Sequence, residues 1–547
     1  MTHDASLPGR VVDSAPVFRV LITDDISSAG LALLQGAPDI SVDIVKRPDR
    51  ARLLGLIGSY DALVTRSATP LDAEAFAAAG QLKVAGRAGV GLDNVDVDAA
   101  TAAGVMVMNT PEANTLAATE HTLAMMLALC RGLPAANASL KSGQWNRARF
   151  MGLQLAGKTL GIIGFGRIGS RVAVRAQAFG MTTIAYDPYI AAEVAERAHV
   201  ELLARMEDLL ARSDFVTLHT PLGAETQHLL GAPQLAQMKP GARLINCARG
   251  GLVDEAALLE ALEAGRLAGA AIDVFSEEPP QSELLRRLIA RDEVVVTPHL
   301  GANTVEAQED VGTQIARQVL DALRNEDYQN AVNLPFFGGS GYRQSLPYLR
   351  LAEAIGSLQV QLARGSVSRV EIGFEGSEVA ARAQSLTVAL LKGLLASLLK
   401  ERINYVNAPQ LAAERGISVA QIEPRQQSDY NNLITCRVVT SQEQRTIAGT
   451  LLAGKAPRIV QIDDYLMDGS PAGRILVMTS HDVPGVIGRV ATLLGDHAIN
   501  IAEWRLGRTA PGGMAMSFIN IDDPVGDAVV AALRRLPQVM DIRQVVI

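Results

Sequence analysis

The stretch "GKTLGIIGFGRIGSRVA" constrains the fold of this chain more than any other. An apolar run, "TLGIIGF", passes through Gly164, and Gly166 and Gly169 follow in GxGxxG spacing as a helical pattern opens. The first glycine permits a tight strand-to-helix turn, the second lets a pyrophosphate approach the backbone, and the third lets helix and strand pack closely. The helix N-terminus offers N–H donors to the anion. An acid lies at the matching distance: "TTIAYDP" ends on Asp187, 18 residues beyond Gly169. A carboxylate there would bond a ribose 2′-hydroxyl and repel a 2′-phosphate, so the expected cofactor is NAD. The alternative for Asp187 is a solvated turn acid before Pro188.

The surrounding pattern extends this turn into a domain. "TLGIIGF", "TTIAYD", "DFVTLHT", "ARLINCA", "GAAIDVF" and "EVVVTPH" are short apolar runs separated by helical ones. Continuous apolar strands alternating with helices imply a parallel sheet covered on both faces. An earlier series, "FRVLIT", "ISVDIV", "ALVTR" and "LKVAGR", has the same character and predicts another such domain. The helix "VEAQEDVGTQIARQVLDALRN" is expected to pack back on that first domain, making the second an insertion into it. Farther on, "FFGGSGYR" reads as a glycine-rich linker, followed by mixed α/β patterning. The last segment reads β-α-β-β-α-β, a split βαβ, ferredoxin-like order.

The expected architecture is therefore α/β in two doubly wound parallel-sheet domains, one flavodoxin-like and one of Rossmann type. An α+β intervening domain and a ferredoxin-like domain complete it. Its boundaries are a flexible tail over 1–17, a first domain over 18–109 and 305–335, the dinucleotide domain over 110–304, and the last two over 336–470 and 471–547.

Composition narrows the partners. The net charge of −8 argues against nucleic acid as the main partner. Three cysteines without a CxxC pair argue against a disulfide scaffold or a zinc site, and the expectation is no metal and a reducing cytoplasm. No run approaches the roughly 18 apolar residues that a membrane crossing needs, and the N-terminus has no signal-like stretch.

"NCARGGLVDE", "DVFSEEPP" and "TPHLGANT" follow "GFGRIG" in that order, and the set resembles the D-isomer-specific 2-hydroxyacid dehydrogenases. "VTRSAT", "AGRAGVGLDNVD", "NTPEANTLAATEH" and "QWNRARFMGLQLAGKTLGIIG" are similar to the members that act on 3-phospho-D-glycerate. "HDVPGVIGRVATLLGDHAINIAEW" resembles an ACT regulatory domain, and "INYVNAPQLAAERGI" the extra domain of the long-form enzymes. The resemblance implies NAD-dependent oxidation of 3-phospho-D-glycerate to 3-phosphooxypyruvate, the first step of the phosphorylated route to L-serine. It also implies a homodimer or homotetramer.

Such a reaction needs a hydride acceptor, a base for the hydroxyl proton and a cation for the carboxylate. His299 is the natural base, since an imidazole exchanges protons near neutral pH. Glu278 would hold its ring and favour the charged form, and Arg249 would grip the carboxylate with its planar fork. Each follows a strand at the carboxyl edge where doubly wound folds place ligands. Singly, each has another reading: Arg249 as a helix-side ion pair, Glu278 as a solvated acid that Glu277 could replace, His299 as a helix cap.

At matching positions the resemblance assigns further roles. Arg167 and Ile168 would set backbone N–H groups against the pyrophosphate, and Thr220, Cys247, Ala248 and Asp273 would line the adenosine and nicotinamide sides. Gly301 and Ala302, with Arg249 and His299, would also border the cofactor, Gly301 giving substrate and nicotinamide room beside His299. Cys247 would contribute backbone alone, and Asp273 has a purely structural alternative. Arg66, Arg87 and Gly89 would hold the substrate. Arg147 and Arg149 would reach a neighbouring subunit's phosphate or remain surface residues. Ser480, Asp482 and Asn500 would bind an effector, L-serine. The helical "NTLAATEHTLAMMLALCRGL" would form a dimer seam or a buried core helix. Two rival functions stand beside the main one: a glyoxylate or hydroxypyruvate reductase, and an NAD-binding corepressor.

Overall fold

The computed structural model describes residues 18–335, 340–399, 402–422 and 429–547. The tail expected over 1–17 and the first four residues of the glycine-rich linker, 336–339, lie outside the described residues. The rest of that linker is helical, as the first turn of Ser340–Leu362.

The first sheet contains β1 (Phe18–Ile22), β2 (Ile40–Ile44), β3 (Ala62–Thr65), β4 (Val84–Arg87) and β5 (Met106–Met108). Its strands are parallel in the order β2-β1-β3-β4-β5. That is the flavodoxin-like order, whose ligand crevice lies at the carboxyl ends of the strands. All four residues of β3 are buried, as a strand covered on both faces requires. One cover is the helix Val305–Leu323, which returns from the end of the second unit and packs on β4 and on the helix Ser28–Gln35. Gly30 and Gly312 make that crossing possible: a Cβ on Gly30 would stand 2.3 Å from the Gly312 carbonyl oxygen.

The second sheet has seven parallel strands, β6 (Thr159–Ile163), β7 (Thr182–Tyr186), β8 (Glu201–Leu202), β9 (Phe215–Leu218), β10 (Arg243–Asn246), β11 (Gly269–Ile272) and β12 (Val294–Val296). The order β12-β11-β10-β9-β6-β7-β8 reverses direction beside β6, so the GxGxxG turn leaves the sheet at its switch point. Strand β8 escapes a periodicity reading because it has only two residues. The apolar helix Thr115–Arg131 is largely a core helix of this unit: Leu123, Met125, Met126 and Cys130 are buried, and it packs on the helix Arg167–Ala178. No single described helix is long and apolar enough to cross a membrane. The pair Thr115–Arg131 and Leu133–Lys141 passes by length and composition but is bent by 62°.

The third sheet contains β13 (Val367–Glu375), β14 (Ser418–Ile422), β15 (Leu433–Thr440), β16 (Gln444–Leu452), β17 (Ala456–Ile462) and β18 (Tyr465–Gly469). It is antiparallel except for the β13–β14 pair, and the helices Ser340–Leu362 and Ala383–Ala396 pack together beside it. Arg402 and Asn404 tie this unit to the first one by donating to the carbonyls of Leu82 (3.0 Å) and Gly104 (2.7 Å). The last sheet is antiparallel, with β19 (Arg474–His481), β20 (Ile501–Arg508), β21 (Met514–Ile521) and β22 (Val539–Val546) in the order β20-β21-β19-β22. Its two helices, Val486–Asp496 and Asp527–Arg534, pack against each other, which completes the ferredoxin-like arrangement.

Candidate active site

Arg66 follows strand β3 and Arg87 ends β4, and β10, β11 and β12 lead into Arg249, Glu278 and His299. All five side chains, with Gly89 and Ala302, line one cleft of about 610 Å³ between the first two sheets. The loops after parallel strands thus converge from two different sheets on one space.

His299 sits on a short turn held by an aspartate. Its backbone has φ +54°, and its N–H donates to the Asp273 carbonyl at 2.8 Å. The Asp273 carboxylate is buried. It accepts bonds from Thr297 Oγ1 (2.6 Å), Leu300 N (2.7 Å) and Gly301 N (2.9 Å). His121 Nε2 approaches the same carboxylate at 3.2 Å. Burial alone would raise the pKa of Asp273, but the bonds from His121, Thr297 and Leu300 outweigh it and hold the group below its usual value. In the structure Asp273 is therefore the clamp of the His299 turn. His121 and Thr297, which the sequence reading did not single out, complete that clamp.

His299 Nδ1 lies 2.7 Å from Glu278 Oε2, and Glu278 Oε1 accepts Phe275 N at 3.1 Å. Glu277 is engaged elsewhere, accepting Ser282 N at 3.2 Å. The bond to Glu278 raises the His299 pKa against the opposing effect of burial. For Glu278 burial pushes upward, and the bond and charge of His299 pull its pKa below the usual value. The two shifts agree, because each group stabilises the charged form of the other.

The cations form a second cluster. Burial, reinforced by the charges of Arg249 and Arg66, pushes Arg87 down to about 10, so it stays charged at neutral pH. Its Nε is buried without a hydrogen-bond partner among the described residues. Gly89, at φ +146°, leaves the space that Arg87 fills; a Cβ there would meet the guanidinium at 1.7 Å. Asp24, also missed from sequence, accepts Arg66 N at 2.7 Å, and Asn94 donates to the Arg66 carbonyl at 2.7 Å. Asp93 lies 3.4 Å from Arg249 Nε across the cleft. The only sequence signal for Asp93 and Asn94 was their place in "AGVGLDNVD".

The cofactor residues fit a dinucleotide. Gly164 has φ +89°, and a Cβ on it would lie 2.7 Å from the His219 carbonyl oxygen. A Cβ on Gly169 would stand 2.2 Å from the Gly164 oxygen, whereas Gly166 faces open space that a pyrophosphate can use. Gly166 N-caps the helix Arg167–Ala178, where Arg167 and Ile168 are the first residues. Asp187 is fixed by accepting Phe165 N and Tyr189 N, both at 2.9 Å, which leaves carboxylate lone pairs for a ribose hydroxyl. Thr220 Oγ1 is buried without a partner among the described residues. Ala248 N is held by Asn246 Oδ1 at 3.1 Å, and burial raises the Cys247 thiol far above its usual range. Burial pushes His219 down to about 4, so it remains neutral.

Other expected residues lie apart. Arg149 pairs with Asp292 at 3.0 Å on the surface of its own chain, and Arg147 is exposed nearby. Ser480 lies inside β19 and is 2% exposed. Asp482 accepts Gly512 N at 3.1 Å, whereas Asn500 donates to Asp522 at 2.7 Å. In the register of the sheet His481 pairs with Met514 and Ile501 with Ile521, at the two ends of β21. Asp482 and Asn500 are therefore separated by about 20 Å of strand at roughly 3.3 Å per residue, and one chain does not bring them together.

Comparison with known proteins agrees with this geometry. Residues 123–301 match the family model of the D-isomer specific 2-hydroxyacid dehydrogenase NAD binding domain. Residues 345–463 match the D-3-phosphoglycerate dehydrogenase intervening domain, and 474–538 the ACT domain. The D-3-phosphoglycerate dehydrogenase of Methanocaldococcus jannaschii is 42% identical over 96% of this chain and 99% of its own. That of Bacillus subtilis is 41% identical over 96% and 99%. Among solved structures, an Aquifex aeolicus D-lactate dehydrogenase complexed with NAD and lactic acid is 27% identical, with a TM-score of 0.52 over 57% of this chain and 96% of its own. A dinucleotide turn, a His–Glu pair and an arginine cluster at one cleft, carried on a chain matched along nearly its whole length, lead to one conclusion. The chain belongs to the D-3-phosphoglycerate dehydrogenase family of NAD-dependent D-isomer-specific 2-hydroxyacid dehydrogenases.

Proposed function

We propose that the cleft oxidises 3-phospho-D-glycerate to 3-phosphooxypyruvate, the first step of the phosphorylated route to L-serine, with His299 as base. The observation that carries this reading is the 2.7 Å His299–Glu278 contact beside three arginines in one cleft. NAD, when bound by the Gly164–Gly169 turn and Asp187, supplies the hydride acceptor. His299 takes the C2 hydroxyl proton, and Glu278 stabilises the imidazolium that results. Arg249 holds the substrate carboxylate, while Arg66 and Arg87 hold its phosphate. Closure of the two lobes excludes water and brings these arginines onto the substrate. The test is NADH production from 3-phosphoglycerate by purified protein at alkaline pH. Absence of turnover there sinks the reading.

The three arginines favour a phosphorylated substrate over glyoxylate or hydroxypyruvate. Neutralising Arg66 and Arg87 (Arg→Gln at each) removes charge-assisted bonds worth about 1.5–3 kcal/mol apiece, or roughly 10–100-fold in kcat/KM for phosphoglycerate. Turnover of glyoxylate, where present, is expected to survive. An equal loss on both substrates would count against phosphate binding at these positions.

The pH profile tests the base. His299 must be neutral to accept a proton, and its pKa is raised by Glu278. Oxidation is therefore expected to fall away with acidification through a midpoint above about 6.5, the unperturbed value. In Glu278→Gln the imidazolium loses its carboxylate, the largest upward influence, and burial outweighs the remaining charge of Asp273, so the acid limb moves to lower pH. A limb that does not move would remove Glu278 from this role.

Location and assembly follow as expectations. A cytoplasmic enzyme fits three free cysteines, of which Cys130 and Cys436 are buried. A homo-oligomer is supported by exposed apolar residues on and after the helix Leu133–Lys141, where Trp145 is 80% and Met151 89% exposed. L-serine regulation through the ACT domain would require Asp482 of one protomer to meet Asn500 of another. Adding L-serine to the NADH assay reads that directly.

A further inference from the structure

Arg249 already has a carboxylate beside it. Asp93 Oδ2 lies 3.4 Å from its Nε, and the two residues belong to opposite sides of the cleft. The contact is built into the loop. Asn94, next to Asp93, donates to the carbonyls of Arg66 and Thr69, both at 2.7 Å, which fixes the backbone at this point. Gly91 supplies the room: a Cβ there would stand 2.4 Å from Arg249 Nη2 and 2.5 Å from Asp93 Oδ2. The guanidinium thus lies over bare backbone of the facing lobe, with the aspartate at its edge. Arg249 Nη1 is taken by the Ala248 carbonyl at 2.7 Å, so the Nε edge is where a carboxylate can approach.

The pair is poorly made for stability. A separation of 3.4 Å exceeds the usual N–H···O range, and the Asp93 side chain is 59% exposed. Exposed pairs of this kind contribute about 0–1 kcal/mol. The other acid of the cluster, Asp24, is 4% exposed and is held through Oδ2 by Thr65 Oγ1 and Arg66 N. Asp93 is therefore the exposed, loosely held negative charge among Arg66, Arg87 and Arg249, and its charge also acts on Arg87.

On the functional reading above, we infer that Asp93 is a resident competitor at the substrate-carboxylate seat of Arg249. The incoming carboxylate displaces it, and Asp93 thereby sets how tightly any carboxylate-bearing ligand binds. A substrate carboxylate replaces the loose contact by a planar, bidentate one, and Asp93 swings to solvent. The competition acts at the carboxylate end, so it is felt alike by ligands with and without a phosphate.

The test compares Asp93→Asn with the wild type in two measurements. One is the KM for 3-phosphoglycerate. The other is the affinity of the NADH complex for oxalate, read by NADH fluorescence, which needs no turnover. Both are expected to tighten by a similar factor, about two- to fivefold, the equivalent of the pair's weak energy. Asp93→Ser serves as a second variant should Asn fail to bind NADH. Weaker or unchanged binding of both ligands overturns the inference and leaves Asp93 a support for Arg249. Tightening confined to phosphoglycerate also overturns it, since Asp93 would then act on the phosphate arginines. If wild-type protein does not turn over phosphoglycerate, the functional reading fails, and the oxalate measurement still decides the competition at Arg249.

Discussion

Replacing His299 by asparagine is expected to lower kcat for phosphoglycerate oxidation by about 10²–10⁴-fold, the usual contribution of a positioned general base. Asparagine keeps a polar side chain on a residue whose φ is +54°, a conformation that Asn tolerates better than most residues. The turn is therefore retained while the proton acceptor is lost. NADH should still bind, because the glycine turn and Asp187 follow β6 and β7, away from the substitution. The measurement is steady-state kinetics beside NADH titration by fluorescence. Two features identify a lost base rather than a lost fold: a pH profile without the acid limb, and preserved NADH affinity. Activity within a few-fold of wild type would show that another group takes the proton.

Much of this site was legible because its chemistry is written locally. Gly164 takes a left-handed φ, Gly169 leaves no room for a Cβ and Gly166 leaves space for a ligand, and Asp187 follows at a distance that one helix and one strand fix. Arg249, Glu278 and His299 are each readable as polar residues just beyond an apolar strand. The parallel, doubly wound sheets were legible for the same reason, since long apolar runs separated by helices admit few packings.

What escaped is contact between distant segments. His121 and Thr297 meet across 176 residues, and nothing in either local pattern indicates a shared carboxylate. The Asp93–Arg249 pair exists because two lobes face each other. The helix Thr115–Arg131 shows the limit of composition: apolar on most sides, it suits a seam between subunits and a buried core helix equally, and within one chain Leu123, Met125, Met126 and Cys130 are buried while Leu116 is exposed. The effector residues are a different case. Ser480, Asp482 and Asn500 are close to strand ends in the sequence, but antiparallel pairing through β21 sends Asp482 and Asn500 to opposite ends of that strand within one chain.

Asp273 is the residue whose loss should cost the fold most at this site. Asp273→Ala removes the acceptor of Thr297 Oγ1, Leu300 N and Gly301 N in a place that is 1% exposed. Each buried donor left without a partner costs about 1–3 kcal/mol, and breaking a buried, bonded charge typically costs about 3–5 kcal/mol in all. The expected result is a thermal midpoint lower by several degrees, with kcat reduced because the turn that carries His299 is released. Acid sensitivity gives an independent readout. The folded-state pKa of Asp273 is held below its usual value. Its stabilisation is therefore complete above the unfolded-state pKa of about 4 and is lost as pH falls through the lower, folded-state value. Over that acid range the stability gap between wild type and Asp273→Ala should narrow, whereas at neutral pH it should be fully open. Asp273→Asn separates charge from geometry: its single carbonyl can serve one side of the clamp, but its NH₂ would face Leu300 N or Gly301 N. An asparagine variant as stable as wild type at neutral pH would show that the loop 297–301 is held by other means, and that the His299 turn does not depend on this carboxylate.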